Sequence, residues 1–225
     1  MITKDVKAYL ADNFADYLES VSELSKSNGE KVLVWDERRL YNFDKITEKI
    51  YPNHTPESAD AVFATDREVF FVEFKSGFQK KISRANFDEK YMSCYDNPEK
   101  YCEAYAKLFF RNQRNEDKIL RHSLHMKAIE SYMTFMQEIV PRSDEEQVQG
   151  NKHLTYCVVV DDYVEHMEDI LNSLAKKTSE TNLIENLRKS LSRFRKSRLK
   201  NYYYDDIEVL SPCGFVDFMN RRREI

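Results

Sequence analysis

The stretch that most constrains this chain runs from Ser58 to Gly77. Two short apolar runs, Ala61-Val62-Phe63-Ala64 and Val69-Phe70-Phe71-Val72-Glu73-Phe74-Lys75, flank the polar segment Thr65-Asp66-Arg67-Glu68. β-Branched and aromatic residues in runs this short, joined by a turn-forming segment, predict an antiparallel hairpin. With the turn centred on Asp66 and Arg67, Asp60 lies directly opposite Glu73. Opposed residues of such a pair share a sheet face, with Cβ atoms roughly 5 Å apart. Lys75 returns to that face, because side chains alternate with period two. A turn one residue longer would send the two acids to opposite faces, so the register decides whether these groups meet at all.

Two carboxylates held this close repel, and an apolar sheet makes the repulsion worse. A divalent cation relieves it: Mg²⁺ takes one or two carboxylates and keeps several waters for phosphate oxygens. Lys75 would then orient or deprotonate a water beside the ion, or steady charge on a phosphate in flight. The arrangement reads as a phosphodiester-cleaving site.

The spacing Asp60 … Glu73-Phe74-Lys75 resembles the bipartite signature of the PD-(D/E)xK nuclease superfamily, with Ala59 standing where that signature has proline. The resemblance covers about residues 44–77 and extends to about 160. It implies an α/β protein with a central mixed β-sheet flanked by helices, a restriction-endonuclease-like core carrying helical additions at both ends. It further implies that Asp60, Glu73 and the Phe74 carbonyl hold Mg²⁺, or Mn²⁺ in its place, while Lys75 assists the attacking water. The family often draws another acid from the helix before the hairpin. Glu48, four residues after Asp44 on one helix face, is the candidate for it. The implied substrate is nucleic acid, DNA before RNA.

A chain of 225 residues is most simply one domain, with a core over about 30–165 and a basic, helical extension over about 166–225. Its apolar runs are too short to span a bilayer, and no secretory signal opens the chain, so a cytoplasmic protein without a membrane partner is expected. Cys94, Cys102, Cys157 and Cys213 form no Cys-x-x-Cys pair and read as reduced thiols. The net charge of −4 gives no global attraction to nucleic acid, so contacts must come from local basic patches. Lys80, Lys81 and Arg84, just past Lys75, form one candidate patch. The helix expected between Leu183 and Lys200 supplies another through Arg193, Lys196 and Lys200, next to Tyr202-Tyr203-Tyr204. For both patches, ordinary solvated charge is the competing reading.

Elsewhere, apolar steps of three and four predict helices over residues 3–25, 44–50 and 116–140. Leu33-Val34-Trp35 is a short apolar run between the first two. The tyrosines and phenylalanines of residues 101–110 read as a buried helix stripe more than a base-stacking platform. His122 and His125 lack the clustered carboxylate that zinc would need. Leu154–Val160 is continuously apolar, as in a strand buried on both faces. Asp161-Asp162 is expected to cap a helix over 163–175, Asp206–Leu210 to form an edge strand, and 215–225 to end the chain as a helix. Three functions fit these residues. The first is a metal-dependent nuclease, with a homodimer as one arrangement for cutting two strands. The second is a catalytically inactive nuclease-fold module that binds nucleic acid or a protein partner. The third is an unrelated interaction protein.

Overall fold

The computed structural model describes residues 6–26, 31–76, 122–143, 153–161, 187–195 and 203–222. Its centre is an open, mixed sheet of six strands that lie side by side in chain order. They are β1 (Leu18–Ser20), β2 (Arg39–Asn42), β3 (Ala61–Ala64), β4 (Glu68–Lys75), β5 (His153–Val160) and β6 (Asp206–Leu210). The first four form an antiparallel meander, and β5 and β6 continue it in parallel. The hairpin has the register expected from its turn: Ala61 faces Val72, Val62 faces Phe71, Phe63 faces Phe70 and Ala64 faces Val69.

Both faces of the sheet are covered, which is why β4 and β5 read as nearly unbroken apolar runs. On one face Val62, Val69, Phe71, Tyr156 and Val158 pack against α1 (Val6–Phe14), α3 (Phe43–Ile50) and the helices over 122–134 (α4) and 187–191 (α5). Phe71 sits at the middle of this layer, edge-on to Phe43, Phe135 and Tyr204. On the other face Ala61, Phe70, Val72, Phe74, Cys157 and Val159 pack against α2 (Val21–Leu24) and α6 (Pro212–Arg221). Cys157 is buried and unpaired within this second layer.

Several elements differ from the sequence expectations. The helix expected over 3–25 is interrupted: after Phe14 a 3₁₀ turn leads into β1, and Ser20 then caps α2 through its hydroxyl, which accepts from Glu23 N–H at 3.2 Å. Helical periodicity hid the break because Tyr17 and Val21 pack against the core in the observed conformation too. The basic helix expected to run to Lys200 ends early. Residues 192–194 tighten into a 3₁₀ turn, and Arg195 is extended and bridged to Tyr204. Leu33-Val34-Trp35, for which no element was expected, is irregular, with Val34 buried and Trp35 79% exposed. The helix expected over 116–140 is described from residue 122 and widens into a π turn over Phe135–Ile139. β6 lies at the sheet edge, as expected. The aromatic stripe of residues 101–110 and the helix expected over 163–175 lie outside the described residues. Among the described residues, no helix is long and apolar enough to cross a membrane.

Candidate active site

β4 is paired to β5 over all eight of its residues, but β3 answers it only from Val69 to Val72. At Asp60 the chain turns away, leaving Glu73, Phe74 and Lys75 without a strand neighbour on that side. Side chains fill the gap. Asp60 Oδ2 accepts a hydrogen bond from Phe74 N–H at 2.6 Å, closing the backbone position that β3 has vacated. Its other oxygen, Oδ1, faces the ammonium of Lys127 at 3.2 Å. The same ammonium lies 3.0 Å from the Glu73 carboxylate, and Lys75 Nζ is 2.7 Å from Glu73 Oε1. Glu73 is fully buried. Asp60, Glu73 and Lys75 therefore meet on the face facing α4, as the hairpin register required.

Lys127 was not singled out by the sequence reasoning, although a signal exists. Leu124, Ala128, Ser131 and Phe135 mark the buried stripe of α4, and Lys127 falls three residues after the first and four before the third. A lysine on a buried stripe needs a partner of opposite charge, and here it has two.

The loop before β3 is fixed by its neighbours. Ala59 N–H donates to Ser131 Oγ at 2.8 Å, and Phe43 N–H donates to the Asp60 carbonyl at 3.1 Å. Ser123 Oγ donates to Glu57 at 3.3 Å, and Glu57 N–H donates to Glu130. Ser123, Lys127, Glu130 and Ser131 thus present one side of α4 to residues 57–60. The acid that α3 brings to this region is Asp44, which accepts from Ser58 Oγ. Glu48, the residue favoured by the family resemblance, is exposed one turn further along α3.

The electrostatics follow from burial. Burial and, next, the charge of Asp60 push Glu73 up to about 7, against the pull of Lys75 and Lys127. Burial works against the charge of Lys127, but Glu73, Asp60 and Asp44 more than offset it and hold its pKa above the ordinary lysine value. Burial likewise raises Asp44, opposed by the Ser58 hydrogen bond and by Lys127. Tyr156, buried beneath the cluster, is pushed far up by burial and then by the charge of Glu73.

The two carboxylates already converge on one cation, which is the arrangement a shared divalent ion requires. Glu73 Oε1 is buried and, among the described residues, has no aligned hydrogen bond, although Lys75 and Lys127 lie near it. With Lys75 Nζ at 2.7 Å and Lys127 Nζ at 3.0 Å from that oxygen, a metal ion would enter by displacing an ammonium. Among the described residues, no three His, Cys, Asp or Glu side chains gather as a metal-ligand set. An ion here would rest on Asp60 and Glu73, with water completing its shell.

The other predicted residues are dispersed. Lys80, Lys81, Arg84, Lys196 and Lys200 lie outside the described residues. Arg193 is exposed beside the ring of Phe194 and against His125 Nδ1, while His125 Nε2 meets Ser190 Oγ at 3.1 Å. Tyr204 is a core residue whose hydroxyl donates to the Ala128 carbonyl at 2.6 Å, so the tyrosine triplet is not a uniformly exposed stacking surface. Comparison with protein-family models, with curated proteins and with solved structures finds no match to this chain.

Proposed function

We propose that the protein is a metal-dependent nuclease that hydrolyses phosphodiester bonds of nucleic acid, DNA foremost, on a restriction-endonuclease-like core. The observation that carries this reading is the convergence of Asp60 and Glu73 on one cation at about 3 Å, with Lys75 on the same face beside them. Asp60 and Glu73 would hold Mg²⁺ or Mn²⁺, the Phe74 carbonyl is the main-chain ligand the family pattern adds, and Asp44 replaces Glu48 as the nearby acid. When bound, the ion supplies positive charge that makes water a better nucleophile and neutralises a phosphate. Phe74 N–H fixes the Asp60 carboxylate, which keeps its free oxygen aimed at the shared point. Lys75, whose side chain is 24% exposed, reaches from buried Glu73 towards solvent. That places an ammonium where it can orient an attacking water or stabilise a phosphate oxygen.

A second reading draws on Lys127. Its ammonium bridges both acids and, with Lys75, balances their charge, so the site would also be stable as a metal-free, inactive module that binds nucleic acid or a protein.

Incubating wild type, Lys75→Ala and Asp60→Ala with a panel of duplex, branched and single-stranded DNA and RNA, with Mg²⁺ or Mn²⁺, tests the first reading. Wild type is expected to cleave at least one substrate, with both variants losing 100-fold or more of the rate. Equal cleavage by wild type and Lys75→Ala, or no cleavage of any substrate, overturns it.

A further inference from the structure

At the turn end of the β3–β4 hairpin lies a cavity of about 480 Å³, lined from α6 and its C-cap by Met219 and Arg222 and from α1 by Lys7. It is separated from the acid pair by roughly 10 Å along the strand, the three-residue step from Glu73 to Phe70. Its volume is within the range of small-molecule sites. The apolar side is built from Leu40, Phe63, Phe70 and Met219. The rings of Phe63 and Phe70 stack with an interplanar angle of 17°, and Phe63 is only partly buried.

The rest of the wall is cationic. Three of its basic groups have carboxylate partners: Lys7 with Asp66 at 3.0 Å, Arg222 with Glu68 at 3.2 Å, and Arg38 with Asp36. Two more, Arg39 and Arg67, have none among the described residues. Among the described residues the Arg39 guanidinium donates to the neutral Leu18 carbonyl, at 2.8 Å. In a chain with net charge −4, a concave surface with two guanidinium groups in excess of carboxylates stands out. Guanidinium forks match phosphate oxygens, and a flat apolar floor matches a planar ring.

We propose that this cavity binds a nucleoside phosphate, its base against Phe63 and its phosphate held by Arg39 and Arg67. The ligand is either a free nucleotide or the phosphorylated end of a strand; the chemistry is the same. The site does not depend on the nuclease reading, because it shares no residue with the acid pair.

The test is thermal unfolding and calorimetric titration of the full chain with AMP, ADP, adenosine, inorganic phosphate and a 5′-phosphorylated oligonucleotide, without divalent metal. AMP or ADP is expected to raise the unfolding midpoint and to bind at least tenfold tighter than adenosine or inorganic phosphate. The double variant Arg39→Glu/Arg67→Glu, altered at two exposed positions, is expected to lose that binding tenfold or more, while Asp60→Ala retains it. Binding of the oligonucleotide as tightly as AMP identifies a strand end as a ligand; binding of AMP alone identifies a free nucleotide. No nucleotide binding, equal binding of inorganic phosphate, or undiminished binding by the double variant overturns the proposal. Failure of cleavage by the acid pair leaves these measurements unaffected, so the two readings fail separately.

Discussion

Replacing Lys127 with methionine keeps the buried stem and removes the ammonium that holds Asp60 and Glu73 together. Breaking a buried ion set by deleting one member costs about 3–5 kcal/mol. The lower end applies here. Burial and Asp60 already lift Glu73 to about 7, so without Lys127 that carboxyl takes up a proton at neutral pH and is not left as an unpaired charge. In a chain of this size each 1 kcal/mol moves the unfolding midpoint by about 2–4 °C, so a drop of about 6–12 °C is expected in EDTA. Magnesium should then act differently on the two proteins. In wild type an incoming ion must displace the ammonium shared by both acids; in Lys127→Met only Lys75 and the proton on Glu73 compete with it, and Asp60 is freed. An ion at 100 times its dissociation constant stabilises by about 2.7 kcal/mol, enough to recover most of the loss. Circular dichroism melts with EDTA and with MgCl₂, for wild type, Lys127→Met and the double variant with Asp60→Ala, measure this directly. The larger magnesium shift is expected in Lys127→Met, and it should vanish when Asp60 is also removed. Equal magnesium shifts in wild type and Lys127→Met, or no destabilisation in EDTA, would refute the counter-ion role.

The raised pKa of Glu73 fixes the sign of a pH effect. Between its ordinary value of 4.5 and about 7 the folded protein binds a proton that the unfolded chain releases, so stability falls as pH rises through that window. Metal-free urea unfolding should show wild type roughly 3 kcal/mol less stable at pH 8 than at pH 5 from this group, with much of the difference absent in Glu73→Gln; a flat wild-type profile would contradict it. Ser131→Ala leaves the buried Ala59 N–H without its 2.8 Å partner and should cost about 1–2 kcal/mol by the same assay. The same variant should weaken magnesium binding, because Ser131 anchors Ala59, the residue beside Asp60; unchanged magnesium affinity would argue against that coupling.

The hairpin was legible because its physics is local. Two apolar runs and a four-residue polar turn fix a register, and the register fixes which side chains share a face. β5 was legible because Leu154–Val160, apolar at every position but Thr155, needs cover on both faces. The break after Phe14 was not, since the stripe of a helix and the inward side of a short strand select similar residues over so few positions. Nor was the end of the basic helix at Phe194. There the bridge from Arg195 to Tyr204 sets the stop, and that contact joins segments nine residues apart. Lys127 stands 52 residues beyond Lys75 in the chain, so no spacing rule around the motif could bring it in. Only the oddity of a lysine on the buried stripe of α4 pointed to it. The preference for Glu48 came from the family pattern of an acid on the helix before the hairpin, whereas Asp44, in the first turn of α3, is the acid joined to Ser58.

The divergence of β3 from β4 explains why polar groups stand inside an otherwise apolar layer. A strand that outruns its neighbour leaves backbone groups without ladder partners, and buried ones must find side chains. Phe74 N–H finds Asp60, so this carboxylate has two tasks on its two oxygens: one closes the backbone, the other faces the cation. The tasks separate by substitution. Asp60→Asn retains an oxygen for Phe74 N–H and loses the charge, whereas Asp60→Ala loses both. The alanine variant should therefore be less stable than the asparagine variant by about 1–3 kcal/mol, the cost of an orphaned buried donor. Both variants should lose the magnesium-induced shift to a similar extent. If the two are equally stable, the backbone bond contributes nothing, and the geometry that directs Asp60 to the shared cation must have another source.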